Sequence, residues 1–399
     1  MKHIIFIIDG AADYPIEELG GKTPLMAANK PNIDMLAKNG ACGLFKTIPD
    51  NFSTCSAVAN LSIMGYDPMI QFHGRGVLEA AAMGVELEKN DVALRCNLLC
   101  VEDNKLKSHS AGQLSSEEGE ILIRNIDQQL GSQSIEFYPG VGYRHLLVLK
   151  SDYSDEIECI PPHDHPGEPI AKLMVKTLSK KGEETAALLN KLMLNSKPIL
   201  EKHPLNIGRV KQGKEPANMI WLWSPGKKPY MKTFQELYNI KGAAISAVDL
   251  IKGLGIYAGF DVIDVAGATG LYDTNYEGKA DACIEALKDH DLVYVHLEGS
   301  DEAGHDGDLK LKIKAIEAFD SRLLGRVLKK IDKEIKIAIL PDHPTPVKLR
   351  THVAEPVPFL IYDNKNRDKV EKFDEFSCIK GSLGLLEGDQ FIKKFLSKG

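Results

Sequence analysis

Ile4-Ile-Phe-Ile-Ile8, closed by Asp9-Gly10, is the stretch that decides the fold. Five consecutive apolar residues leave no polar face for solvent, so the run predicts a strand buried on both sides. Strands of that kind belong to parallel sheets with helices packed on both faces. Open sheets of this class gather their ligands beyond the carboxyl ends of the strands, which makes Asp9 a candidate site residue.

The same reading recurs further along. Leu292-Val-Tyr-Val-His-Leu297 leads into Gly299-Ser-Asp-Glu-Ala-Gly-His-Asp-Gly-Asp308, and Ile335-Lys-Ile-Ala-Ile-Leu340 leads into Pro341-Asp-His-Pro-Thr-Pro346. Asp9, Asp301, His305, Asp342, His343 and His352 thus stand at or after the ends of apolar runs. Ser56 stands near the start of Cys55–Met64, whose small and apolar residues recur at helical spacing. Singly, each residue has a plain structural role. Asp301 and His305 read as a solvated acidic loop, Asp342-His343 as an Asx-type turn, and Ser56 as a helix cap with Ser53, Thr54 and Ser62 as rivals. Gly299 and Gly304 predict a loop rather than a helix beneath Asp301 and His305.

Together these carboxylates, imidazoles and one hydroxyl make a donor set for two divalent cations. Oxygen and nitrogen donors suit Mn²⁺ or Zn²⁺, with Mg²⁺ or Co²⁺ as further options, and the lack of a ligating Cys argues against a structural zinc knot. Two such cations would activate the Ser56 hydroxyl and spread the charge of a phosphoryl group in an in-line displacement. The free N–H groups at the start of the Ser56 helix favour an anion at the same place.

A chain of 399 residues, 43% hydrophobic and 26% charged, predicts a globular protein of two domains. The expected core, 1–72 with 213–399, is an α/β domain with a mostly parallel sheet flanked by helices. Residues 73–212 are expected as a smaller inserted α+β domain, with short strands at Val92–Val101, Lys105–Lys107, Glu136–Tyr138 and His145–Leu149 around a helix at Glu117–Leu130. Met219-Ile-Trp-Leu-Trp223 is expected to resume the core sheet, and Asn32 to cap a helix ending at Lys38. Arg75, Arg95 and Arg144 lie in or before the insertion, and their guanidinium forks match carboxylate or phosphate oxygens. Taken one by one they read as surface or salt-bridging arginines. His163-Asp-His165, after two prolines, reads as an exposed turn.

A net charge of −7 gives no broad basic field, so neither nucleic acid nor an anionic membrane is expected as the main partner. Seven cysteines with no CxxC pair predict reduced thiols. The N-terminal apolar run is too short for a signal-peptide core or a bilayer span, and a cytoplasmic location is expected. No dinucleotide fingerprint or P-loop is present.

Several stretches combine into a more specific pattern: Asp9-Gly10, Leu19-Gly-Gly-Lys-Thr-Pro-Leu25, Val58-Ala-Asn-Leu-Ser62 with Gly65-Tyr-Asp-Pro68, Asp301-Glu-Ala-Gly-His305 and Pro341-Asp-His-Pro-Thr-Pro346. Arg95-Cys-Asn97, Tyr143-Arg-His145 and Asp273-Thr-Asn-Tyr276 extend it over nearly the whole chain. In these motifs the chain resembles the archaeal-type cofactor-independent phosphoglycerate mutases of the alkaline phosphatase superfamily. The resemblance implies a two-metal phosphatase-like core interrupted by a substrate-gripping domain. It assigns Asp9, Ser56, Asp342 and His343 to one metal, and Asp301, His305 and His352 to the other. Ser56 falls at the phosphorylated serine, Lys252 at a catalytic lysine of the larger bacterial mutases, and Arg75, Arg95, Asn97, Arg144 and His145 at a site for a small phosphorylated carboxylic acid. The implied reaction interconverts 3-phosphoglycerate and 2-phosphoglycerate without 2,3-bisphosphoglycerate. One departure stands out: the family's acidic residue after the nucleophile is Ala57 here. It keeps open a non-catalytic metabolite-binding protein, while likeness to a bacterial branch of the family proposed to act as a homoserine kinase keeps open a related phosphotransferase or phosphatase with another acceptor.

Overall fold

The computed structural model describes residues 1–112, 114–150, 152–331 and 334–397. The chain divides into two units, Met1–Phe72 with Met231–Gly399, and His73–Tyr230. In the first unit eight strands form one sheet in the order Asp261–Val262, Gly242–Ile245, Leu292–Leu297, Lys2–Ile8, Ile335–Leu340, Val357–Tyr362, Ala41–Lys46 and Gly384–Glu387. Only Val357–Tyr362 runs against its neighbours; the other pairings are parallel. This is the expected α/β class with a mostly parallel sheet.

Ile4 to Ile8 are fully buried in the middle of that sheet, as an unbroken apolar run requires. Ile8 stands opposite Leu297, and Ile7 opposite Leu340. The three strands therefore end nearly level, and the segments that carry Asp9, Asp301 and Asp342 leave the sheet along one edge. Two strands of the unit, Ala41–Lys46 and Gly242–Ile245, escape the sequence reading because Ala and Gly interrupt or dilute their larger apolar residues and leave no long apolar run to recognise.

The second unit carries an antiparallel sheet ordered Lys105–Ser108, Val92–Glu102, Arg144–Leu149, Ile135–Tyr138, with Met219–Lys227 on the other side of Val92–Glu102. This corrects the expectation that the chain has returned to the first unit by residue 213. Met219–Lys227 pairs with Val92–Glu102 along most of its length, and the unit ends at Tyr230. Helix Glu183–Glu201 packs over this strand, so its apolar residues are as buried as those of a parallel strand and the hydrophobic pattern does not tell the two apart. Asn32 is not the cap of its helix either. The helix starts at Pro31, and the Asn32 side chain donates instead to Asp320 Oδ2 at 2.9 Å. Among the described residues, no helix is long and apolar enough to cross a membrane.

A polar network is set into the first unit beside the sheet edge. Lys312, buried on its helix Leu309–Ala318, donates to Asp13 Oδ2 at 2.9 Å, and to the carbonyls of Ala12 and Thr345 at 3.1 and 2.8 Å. Glu375 closes the network, accepting from Thr23 Oγ1 at 2.6 Å and from Asp13 N at 3.0 Å. The residue is half-buried, and burial of its carboxyl pushes its pKa up to about 7. Below the ordinary value of 4.5 both folded and unfolded chains hold the proton. Between that value and about 7 only the folded chain keeps it, so stability falls as pH rises and levels off above. Glu375→Gln, which keeps the shape without the charge, is expected to raise stability at pH 8 by about 1–2 kcal/mol after allowance for partial exposure. The gain should vanish near pH 4.5, and equal denaturation midpoints for the two proteins at pH 8 would refute the assignment.

Candidate metal centre

Gly10 follows Asp9 with φ +62° and packs against Asp301 and Thr345. A Cβ there would stand 2.5 Å from Asp301 Oδ1 and 2.6 Å from Thr345 Oγ1, so only glycine lets the two strand-end segments approach this closely. Its N–H donates to Asp342 Oδ1 at 3.2 Å, tying the first segment to the third.

Asp301 and His305 sit on a helix, Gly299–Asp306, which corrects the expected loop. The glycines that argued for a loop are contact residues: a Cβ on Gly304 would lie 2.5 Å from the Thr345 carbonyl oxygen. Helical spacing of four puts Asp301 and His305 on one face, with His305 Nε2 3.3 Å from Asp301 Oδ2. His352 completes this half, its Nε2 2.8 Å from His305 Nε2 and 3.4 Å from Asp301 Oδ1. The opposite ring nitrogens are held by backbone carbonyls, His305 Nδ1 by Arg350 O at 3.1 Å and His352 Nδ1 by Thr54 O at 3.3 Å. Such anchors turn each Nε2 toward the centre, where an ion would take the place of its proton.

The other half is built on His343. Its Nε2 lies 3.5 Å from both Asp9 Oδ1 and Asp342 Oδ2, and 3.0 Å from Ser56 Oγ. Ser56 is the first residue of helix Ser56–Ile63. Its rivals stand elsewhere in role: Ser62 is buried and bonds back to Val58 O at 3.2 Å, and Thr54 meets His352 through its backbone. All seven expected residues therefore converge. Ligand atoms of Asp301, His305 and His352, and of Asp9, Asp301 and His343, each lie within 4.8 Å of one another.

Sequence reading missed the residues behind them. His296 Nε2 is 2.9 Å from Asp9 Oδ2, and Asp9, His296 and Asp342 form a third such group. Asn60 donates to Asp342 Oδ2 at 2.9 Å and accepts from the Tyr294 hydroxyl. The available signal was polarity inside an apolar strand: Tyr294 and His296 alternate onto one face of a strand otherwise made of Leu and Val. Lys279 Nζ donates to His296 O at 3.0 Å, and burial pushes this amine down to about 8.

Three carboxylates converge here, and the basic groups in ion-pair range of them are all histidines. Burial, with Asp342 and Asp301 beside it, drives Asp9 well above the usual carboxylate range. Burial also works against Asp301, but hydrogen bonds from His305 and His352 prevail and hold it well below. The bond to Asp301 raises His305 to about 9, and burial lowers His343. Asp9 Oδ1 is buried without a hydrogen-bond partner, which is expensive for a carboxylate oxygen unless a cation supplies the missing interaction. Crowded carboxylates, bare imidazole nitrogens and this orphaned oxygen fit divalent cations with mixed oxygen and nitrogen coordination.

In the second unit, opposite partners in the register put Arg95, Asn97 and Arg144 on one face of the sheet and His145 on the other. His145 is thus separated from the arginines with which it was grouped. It is buried, accepts from Gly140 N at 3.0 Å through Nδ1, and burial pushes it down to about 3. Arg95 stacks over Trp223 at 4.4 Å, and its Nε lies 2.9 Å from Glu79 Oε1 but out of line for a hydrogen bond. Burial lowers Arg95 to about 10 against the pull of Glu79, with Arg75 and Arg144 adding to the effect. Asn97 Oδ1 accepts from Trp223 Nε1 at 3.2 Å. Arg75 heads helix Arg75–Ala82, and its buried Nε has no partner. Ring contacts add His163, 5.3 Å from Trp223, and His109, 5.8 Å from Tyr143. Lys252, back in the first unit, donates to Asp264 Oδ1 at 2.6 Å from a helix that packs against the Ser56 helix.

The model of the 2,3-bisphosphoglycerate-independent phosphoglycerate mutase family matches residues 37–206. The 2,3-bisphosphoglycerate-independent phosphoglycerate mutase of Methanosarcina barkeri is 51% identical over 98% of each chain. A protein of the same description from Methanothrix thermoacetophila is 46% identical over the whole of both chains. Among solved structures, a Pyrococcus horikoshii protein matches with a TM-score of 0.85 at 33% identity, covering 100% of this chain and 98% of that one. The cofactor-independent phosphoglycerate mutase of Thermoplasma acidophilum matches with a TM-score of 0.68 at 30% identity over 99% of each.

Proposed function

Since the chain belongs to the 2,3-bisphosphoglycerate-independent phosphoglycerate mutases, we propose that this isomerase moves a phosphoryl group between the 3- and 2-oxygens of glycerate with Ser56 as its transient carrier. The observation that carries the reading is Ser56 Oγ at a helix start, 3.0 Å from His343 Nε2 and beside the converged aspartates. In the first step a bond forms from Ser56 Oγ to phosphorus as the ester bond to the 3-oxygen breaks. In the second, the 2-oxygen of the retained glycerate takes the group and Ser56 is released.

Asp9, Ser56, Asp342 and His343 would hold one divalent ion and Asp301, His305 and His352 a second, with Mn²⁺ the preferred metal. When bound, the ions supply positive charge that activates the serine hydroxyl and stabilises the transferring phosphoryl group. Asn60 keeps Asp342 in place and, by donating to Ser56 O at 2.8 Å, fixes the first turn of the serine's helix. The N–H groups of that turn favour the phosphoryl charge.

Within the second unit the arginine face led by Arg95 and Arg144, with Arg75 and Asn97, suits a carboxylate. Arg144 is exposed, so its replacement tests binding without disturbing the fold. Arg144→Met is expected to raise KM about tenfold or more, the loss of one charge-assisted hydrogen bond, with kcat changed less and the melting temperature unchanged. An unaltered KM would remove Arg144 from the site. A cytoplasmic location and a small phosphorylated carboxylic acid as substrate fit this reading. Its test is phosphorus NMR of 3-phosphoglycerate with Mn²⁺-loaded protein: 2-phosphoglycerate should appear up to equilibrium, whereas free phosphate alone, or no change, would defeat it.

A further inference from the structure

Thr345 is fully buried between the two groups of metal-binding side chains. Its Oγ1 donates to Asp301 Oδ1 and lies 3.2 Å from His343 Nδ1. A hydroxyl has one proton to give. As a metal ligand Asp301 is a carboxylate that only accepts, so the Thr345 proton goes to it, and the Thr345 oxygen accepts from His343 Nδ1–H. That places the only proton of a neutral His343 on Nδ1 and leaves Nε2 bare. The bare nitrogen is the one facing Ser56 Oγ, Asp9 Oδ1 and Asp342 Oδ2.

The backbone of Thr345 is pinned as firmly as its side chain. Its N–H donates to Ala12 O at 3.2 Å, and its carbonyl accepts from Lys312 Nζ at 2.8 Å. Gly304 and Gly10 both leave room for it.

We infer that Thr345 is a positioning residue that couples the two halves of the centre, selecting the His343 tautomer with its oxygen and orienting Asp301 with its proton. The inference rests on the two-ion reading above. Loading one half sharpens the donor geometry of the other through this hydroxyl, beside the sharing of Asp301 by both groups, so the two ions bind as a linked pair. Groups that orient a ligand in this way are worth about 10- to 100-fold in metal affinity.

The test is calorimetric titration of the metal-stripped full-length chain with Mn²⁺ alone, together with ¹⁵N NMR of the imidazoles in the metal-free protein. Wild type is expected to take two ions in one linked phase, with His343 protonated on Nδ1. Thr345→Val should separate the two events, weaken one by about 10- to 100-fold, and give mixed His343 tautomers; Thr345→Ser should restore both signals. Should the valine variant not fold, Thr345→Ala carries the same comparison. Two ions bound in wild-type fashion by the valine or alanine variant, with an unchanged tautomer, overturns the coupling alone, as does a folded serine variant that behaves like valine. Fewer than two ions in wild type overturns the two-ion reading and the coupling with it.

Discussion

Ser56→Ala will lose mutase turnover by about four to six orders of magnitude, the scale on which removal of a catalytic nucleophile is felt when the rest of the site is intact. The fold should not notice. Ser56 begins its helix but does not cap it, since the N-cap position is Cys55, and its hydroxyl bonds only outward, to His343. Melting temperature is therefore expected to change by no more than a degree or two. Wild-type protein quenched during turnover should carry one phosphoryl group on the peptide containing Ser56, and the alanine variant should carry none there. A variant that keeps more than about a hundredth of the activity would contradict the nucleophile assignment and point to Thr54 or Ser53, the other hydroxyls of that segment. The result also bears on Ala57, which lines up where the resembling family carries an acidic residue: strong wild-type turnover would show that the hydroxyl works without that neighbour.

The second large effect is expected at Asp9, with opposite signs in the presence and absence of metal. In metal-free protein Asp9 is buried and faces Asp342 and Asp301, which raises its pKa. A carboxyl with a raised folded-state pKa removes stability as pH climbs from its unfolded value through the folded one. Metal-free wild type should accordingly soften as pH climbs above the ordinary Asp range. Asp9→Asn should be flatter over that range and at least as stable as wild type at pH 7. Adding Mn²⁺ reverses the order. An ion held at a hundred to a thousand times its dissociation constant stabilises wild type by roughly 3–4 kcal/mol, while the asparagine variant lacks the negative charge needed to hold it and should gain little. Thermal melts of both proteins, with chelator and with Mn²⁺, measure all four states. Equal Mn²⁺-induced shifts in the two proteins would exclude Asp9 as a ligand.

Much of this site was legible before any coordinates. Each of the three central strands announces itself by an apolar run, and each is followed within a few residues by Asp or His, a combination that a surface loop has no reason to repeat three times. The supporting residues were less visible. His296 and Tyr294 look like ordinary strand positions, and Asn60 like a helix residue, until the fold brings Asn60 to Asp342 across 282 positions of sequence. Glycine content misled twice over the same helix, because Gly299 and Gly304 were weighed by propensity, whereas their small size answers to contacts with Tyr272 and Thr345.

By itself, then, the order of residues determined the buried parallel strands, the edge of the sheet where ligands gather and the chemical type of the donors, since hydrophobic runs and the polar residues that end them are local properties. Tertiary structure decided which strand joined which sheet, as with Met219–Lys227. It decided the register that puts His145 on the face away from Arg95, and it placed Thr345 between Asp301 and His343. These outcomes depend on register and on contacts between different segments of the chain, and no periodicity within a single segment records them.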